Sequence, residues 1–173
     1  MSASLCDNLR QPAAVLRLVL TAAIGIAIDL WTKYLAQTHL DRPAAPIQFL
    51  DGFLHFTYVE NHGAVFGLGQ GYRWLFVAVS ILAIGFVAYM FAQAPRRWWY
   101  QLTLGMLLAG ILGNLYDRIC FGYVRDMIHA LPQWPKAFPW VFNVADSLLC
   151  VSIAILVASG FLLPEPRNGQ SAD

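Results

Sequence analysis

Four long apolar runs constrain this chain more than any other feature. They cover about 16–35, 74–92, 98–115 and 141–163, each near the ~20 residues a helix needs to cross a bilayer core. In lipid every backbone polar group must be bonded within the chain, so such runs become helices. The composition agrees: 58% of the 173 residues are hydrophobic and 12% charged, with a mean hydropathy of +0.55. That lies outside the usual range for a soluble domain. The expectation is a single polytopic membrane domain over 1–173, an all-α four-helix transmembrane bundle. Net charge of +1 gives no signal for nucleic acid. Cys6, Cys120 and Cys150 form no C-x-x-C and no Cys/His cluster, so neither a disulfide scaffold nor a zinc site is expected. Arg10 and Arg17 precede the first run as in a signal peptide, but the run is long and ends in Asp29-Leu30-Trp31-Thr32-Lys33, which reads as a retained helix.

An even number of crossings puts both termini on one side. The tight connection 93–97 holds Arg96 and Arg97, and Arg10, Arg17 and Arg167 flank the termini, which makes that side cytoplasmic. Arg42, Arg73, Arg118, Arg125 and Lys136 lie opposite and weigh against the rule by raw count. The polar stretches 36–73 and 116–140 then share the outer side, and the tail after Pro164 is expected to be disordered. Within about 44–67, Pro46-Ile47-Gln48-Phe49-Leu50 and Phe53–Val59 are rich in aromatic and β-branched residues. They flank Asp51-Gly52, a dipeptide suited to a tight turn. A small extracytoplasmic β-sheet on the membrane surface follows.

Several polar residues interrupt this pattern. Asp29 and Lys33 are four apart on one helix face, either as an ion pair that lowers the cost of both charges or as the lining of a polar site. Asn114 and Arg118 share a face at the outer end of the third run, where Gly110 and Gly113 would let helices approach closely. Arg118 reads equally as an interfacial side chain. Asn61 reads as an ordinary turn residue, and His62 has no second histidine or carboxylate at ligand spacing. Asp146 is expected about a turn and a half inside the last run, with Asn143 on the same face. A carboxylate at mid-bilayer costs about 2.5–3.5 kcal/mol; near the edge it costs less but still needs water or a partner. The local alternative is a helix cap. Asp126 sits on a short segment between the third and fourth runs, brief enough to return over Asp146, with Asn114, Asn143 and Arg118 able to hold both acids. Two close carboxylates share a proton, which is the arrangement of aspartic proteolysis.

At these residues the chain resembles the bacterial lipoprotein signal peptidases (signal peptidase II). The motifs are Asp29-Leu30-Trp31-Thr32-Lys33, Asn61-His62-Gly63-Ala64-Val65-Phe66, Gly113-Asn114-Leu115-Tyr116-Asp117-Arg118, Val124-Arg125-Asp126 and Phe142-Asn143-Val144-Ala145-Asp146. Ala109 stands where the family usually has one of two glycines, and Val65 replaces an alanine. The resemblance implies that Asp126 and Asp146 are a catalytic dyad. Asn114, Arg118, Asn143, Asn61, Gly63, Asp29 and Lys33 would surround it. It also implies cleavage of prolipoproteins just before a diacylglyceryl-modified cysteine, with no cofactor or metal. The expected partners are such substrates and membrane lipid, with no nucleic acid, and the chain is expected to be a monomer. Two other classes remain open: a non-enzymatic transporter or assembly factor using Asp29, Asp126 and Asp146 as an ion path, and a thiol-redox enzyme, for which paired cysteines are lacking. Gly-x-Gly-Asp, the mark of another intramembrane aspartic protease, is absent.

Overall fold

The computed structural model describes residues 8–40, 46–50, 52–63, 69–93, 96–134, 136 and 140–162. Cys6, Arg42, Asp51, the 64–67 stretch, Arg167 and the tail after Pro164 lie outside the described residues. Among the described residues there are four helices: α1 (Pro12–His39), α2 (Arg73–Gln93), α3 (Trp98–Cys120) and α4 (Val144–Leu162). Four strands, β1 (Ile47–Leu50), β2 (Leu54–Asn61), β3 (Val124–Ala130) and β4 (Val141–Phe142), form one antiparallel sheet in that order. α1 and α2 are each long and apolar enough to span a membrane, and 144–160 forms a shorter apolar helix.

Several features differ from the sequence reading, and α1 already starts at Pro12. α1 and α3 run past the ends of their apolar runs, to His39 and Cys120. A drop in hydropathy marks a change of surroundings, and the backbone stays helical wherever the polar side chains find partners. The fourth helix begins at Val144 rather than 141, because Val141 and Phe142 pair with His129 and Ile128 as an edge strand. The segment carrying Asp126 is the inner strand β3, whose first four residues are all buried. Its lack of alternation hid it from a period-two pattern.

α3 is the central helix and packs against the other three. Close approach to α1 depends on small residues. A Cβ on Gly25 would sit 2.6 Å from Ala109 Cβ, and one on Gly105 would sit 2.7 Å from Thr21 Cβ. Ala109 is fully buried in that contact. A Cβ on Gly110 would meet Ala145 O at 2.6 Å, so the same helix also seats the start of α4. The apolar core, built on Ala14, Val87, Phe91, Leu104, Leu107 and Ile111, occupies the half away from the sheet. There a polar lock joins helix ends: Arg17 donates to Gln101 at 2.8 Å, Gln101 to Asn8 at 3.0 Å and Asn8 to Phe91 O at 3.1 Å. Outward faces are greasy, with Ile24, Leu82 and Phe86 exposed. That is the surface lipid would cover.

Candidate active site

Asp146 lies in the first turn of α4. Asn143 precedes the helix, and its Oδ1 accepts from Asp146 N at 2.9 Å while Asp146 Oδ2 accepts from Asn143 N at 3.2 Å. This is a reciprocal capping box. Both local readings of the stretch therefore hold: the acid helps start its own helix and still presents a carboxylate. α1 adds a second cap, since Asp29 Oδ1 accepts from Ala145 N at 2.8 Å. A Cβ on Gly113 would collide with Asp29 Oδ2, so a glycine there is what lets Asp29 reach across.

Asp126 arrives on β3 and is 2% exposed. Asn143 bridges the two acids: its Nδ2 donates to Asp126 Oδ1 at 2.6 Å while its backbone N serves Asp146. Asn114 on α3 donates from Nδ2 to Asp146 Oδ1 at 2.8 Å. Asn61, at the end of β2, donates to Asp126 Oδ2 at 3.0 Å and accepts from Gly63 N at 3.0 Å. Every donor to these carboxylates is a neutral N–H, and among the described residues no cation pairs with either. Burial, and next the neighbouring Asp146, push the Asp126 carboxyl up to about 7.

Arg118 acts on Asp146 and Asp126 by charge at a distance, while its hydrogen bonds go elsewhere. Its guanidinium donates to Gly63 O at 3.2 Å and Asn114 O at 3.4 Å, and lies 5.1 Å over the Phe76 ring. It ties β2's end and α2 to α3. His62 is exposed against Tyr123, rings 5.3 Å apart, and the Tyr123 hydroxyl is pushed up by hydrogen bonds with Tyr58 and by burial.

The residue-type search missed a second set of groups. Asp117 is fully buried and pairs with Arg125 at 2.7 Å, accepts from Arg125 N at 2.9 Å and lies 3.4 Å from Lys33. Gln37 accepts from Arg125 at 3.0 Å. Asp29 and Lys33 do pair, at 2.7 Å with both side chains at zero exposure, and Lys33 donates to Asn114 Oδ1 at 3.0 Å. The available signal was the position of Asp117 and Arg125 inside two of the five motifs, on either side of Gly122, whose φ of +90° turns the chain.

The acids stand at the end of a cleft of about 980 Å³ walled by α2, α3, α4 and the sheet. Its helical walls carry Val79, Ala83, Ile111, Leu149 and Val151, and Trp140 and Phe142 line it near the acids. Cys150 also faces it.

Comparison with known proteins gives a consistent picture. The family described as Signal peptidase (SPase) II matches residues 21–162. The lipoprotein signal peptidase of Caldanaerobacter subterraneus subsp. tengcongensis is 38% identical over 145 residues, covering 84% of this chain and 94% of its own. That of Halalkalibacterium halodurans is 39% identical over 138 residues, covering 79% and 86%. Two solved structures of a bacterial membrane enzyme superpose with TM-scores of 0.73 and 0.72, at 25% and 27% identity. They cover 88% and 86% of this chain and 94% of each of theirs.

Proposed function

From the chain's membership of the signal peptidase II family, we propose that Asp126 and Asp146 are the catalytic dyad of a membrane aspartic endopeptidase. The chain is a peptidase of prolipoproteins, and its family and fold make it a membrane enzyme. The family sets aside the transporter and redox readings. One observation carries the catalytic assignment: a single residue, Asn143, donates to both carboxylates while no described cation forms an ion pair with either.

In this reading Asp126, the more buried acid, keeps the shared proton, and Asp146, half-buried in the cleft, is ionised. Asp146 takes a proton from water as the water oxygen attacks the scissile carbonyl carbon. Asp126 donates its proton to the carbonyl oxygen. When the tetrahedral intermediate collapses, the C–N bond breaks, and the proton held by Asp146 passes to the leaving nitrogen. The products are a carboxylic acid and an amine, and the shared proton returns to the dyad. General acid–base help of this kind contributes about 10²–10⁴-fold.

The scissile bond would precede a diacylglyceryl-modified cysteine, with the acyl chains against the apolar walls of α2, α3 and α4. The substrate would enter from the bilayer between α2 and α4. All four helices would cross, with Arg10, Arg17, Arg96 and Arg97 at the cytoplasmic end and both termini there. The sheet and the dyad would then face outward. One chain supplies both acids and every donor to them among the described residues, which supports action as a monomer.

The test incubates purified protein with a diacylated and a non-lipidated form of one precursor. Cleavage of the lipidated form only, lost in Asp126→Asn and in Asp146→Asn proteins that still fold, is the expected result. Full activity in either variant overturns the assignment.

A further inference from the structure

We infer that Lys33 is a positioning residue for this reaction: it fixes which way the Asn114 amide faces, and thereby the direction of hydrogen-bond donation to both catalytic acids. The inference rests on the dyad assigned above. An ammonium has three donors and no acceptor. Lys33 Nζ lies 2.7 Å from Asp29 Oδ2, 3.4 Å from Asp117 Oδ2 and 3.0 Å from Asn114 Oδ1. The oxygen of Asn114 must therefore face Lys33, which leaves its NH2 to face Asp146 Oδ1 at 2.8 Å. The same oxygen accepts from Asn143 Nδ2 at 3.1 Å, and that NH2 also donates to Asp126 Oδ1 at 2.6 Å. The Asn114 oxygen thus collects donors from Lys33 and Asn143, and each of the two amides turns its NH2 to a carboxylate. Reversing the Asn114 amide would put its oxygen against an acid and its NH2 against an ammonium, replacing two attractions with two repulsions.

Nothing in the pairing of Lys33 with Asp29 and Asp117 requires the third contact, and Lys33 does not line the cleft. It acts on the acids through Asn114. The charged and titratable groups around the dyad are Asp29 and Lys33 from α1, Asp117 and Arg118 from α3, Arg125 from β3, Cys150 from α4, and Glu60 and His62 from β2 and the residue after it. α2 contributes Val79, Ser80 and Ala83 to the cleft, none of them titratable.

The experiment measures kcat and KM against pH for cleavage of a diacylglyceryl-modified prolipoprotein by the full chain in detergent. Lys33→Met, Asn114→Ala and the double variant are compared with the unaltered protein. Asp29→Asn/Lys33→Met keeps the local charge balance, and replaces Lys33→Met throughout should the single variant not fold. Loss of a donor to the ionised acid makes ionisation harder, so the acid limb of kcat is expected to move up by about one pH unit in each variant, the scale of one charge-assisted hydrogen bond. kcat is expected to fall about 10²-fold with KM little changed. Because Lys33 works through Asn114, the double variant should lose little more than either single variant. An acid limb that stays in place, or losses that multiply in the double variant, overturns the inference. Asp126→Asn and Asp146→Asn run alongside: activity in those proteins sinks the dyad itself, whereas their inactivity with an unmoved limb sinks only the role of Lys33.

Discussion

Two groups of buried acids sit side by side at the sheet end of the bundle, and they are treated in opposite ways. Asp29 and Asp117 are matched by Lys33 and Arg125, so the formal charges cancel within four residues. Among the described residues, Asp126 and Asp146 accept hydrogen bonds from the amide groups of Asn61, Asn114 and Asn143. A neutral donor steadies a carboxylate without supplying an opposite charge, so the second acid cannot ionise as freely as the first. Balance makes the first group a strut between α1, α3 and β3. Imbalance leaves the second with a proton to give and a proton to take.

This contrast can be broken at either group. The largest effect is expected from Asp146→Asn, which keeps the cap geometry through its side-chain oxygen but removes the base. Cleavage should fall by at least about 10³-fold while the melting temperature in detergent moves little; retained turnover would mean the unpaired acids are not the reactive ones. Arg125→Met attacks the other group. It leaves Asp117 with only the Lys33 ammonium, 3.4 Å away and shared with Asp29, and breaking a buried pair in this way costs about 3–5 kcal/mol. Folded yield and thermal stability should therefore drop sharply, and an unchanged melt would show that the quartet is not a strut.

A pH series sharpens the difference. The Asp126 carboxyl lies near 7 in the fold and about 3.9 in an unfolded chain. Between those values the folded protein binds more protons than the unfolded one, so stability falls as pH rises from about 4 to 7. Asp126→Asn should remove that slope and be the more stable protein above pH 7, by an amount on the order of 4 kcal/mol. Melts at pH 5 and pH 8 read it, and parallel slopes would refute it. The smallest effect is expected at the seam between the groups. Gly113→Ala pushes a methyl onto Asp29 and should cost about 1–3 kcal/mol, with turnover falling as Ala145 and the start of α4 shift. A variant as stable and active as the parent would show that Asp29 does not need that space.

Much of this was legible in residue order. The apolar runs gave the helices, and Asp126 and Asp146 stood out as two acids that a short connection could bring together at one end of the bundle. The Asp29/Lys33 pair was visible from its four-residue spacing. What escaped was whatever depends on a distant partner. Nothing local shows that the hydrogen bonds of Arg118 go to Gly63 O and Asn114 O while its charge still acts on both acids. Asp117 and Arg125 look like surface charges until a turn folds one over the other. Val141 and Phe142 look like helix because their apolar character suits either state, and only β3 beside them decides the matter. Polar contacts across the chain carry no periodicity, so no local window can display them.

Asn143 has a consequence of its own. Its backbone and side chain together start α4, and the same side chain reaches Asp126. A change there cannot trade folding against turnover, because one amide group answers for both. Optimising the enzyme for heat or detergent would have to begin elsewhere and leave that position alone.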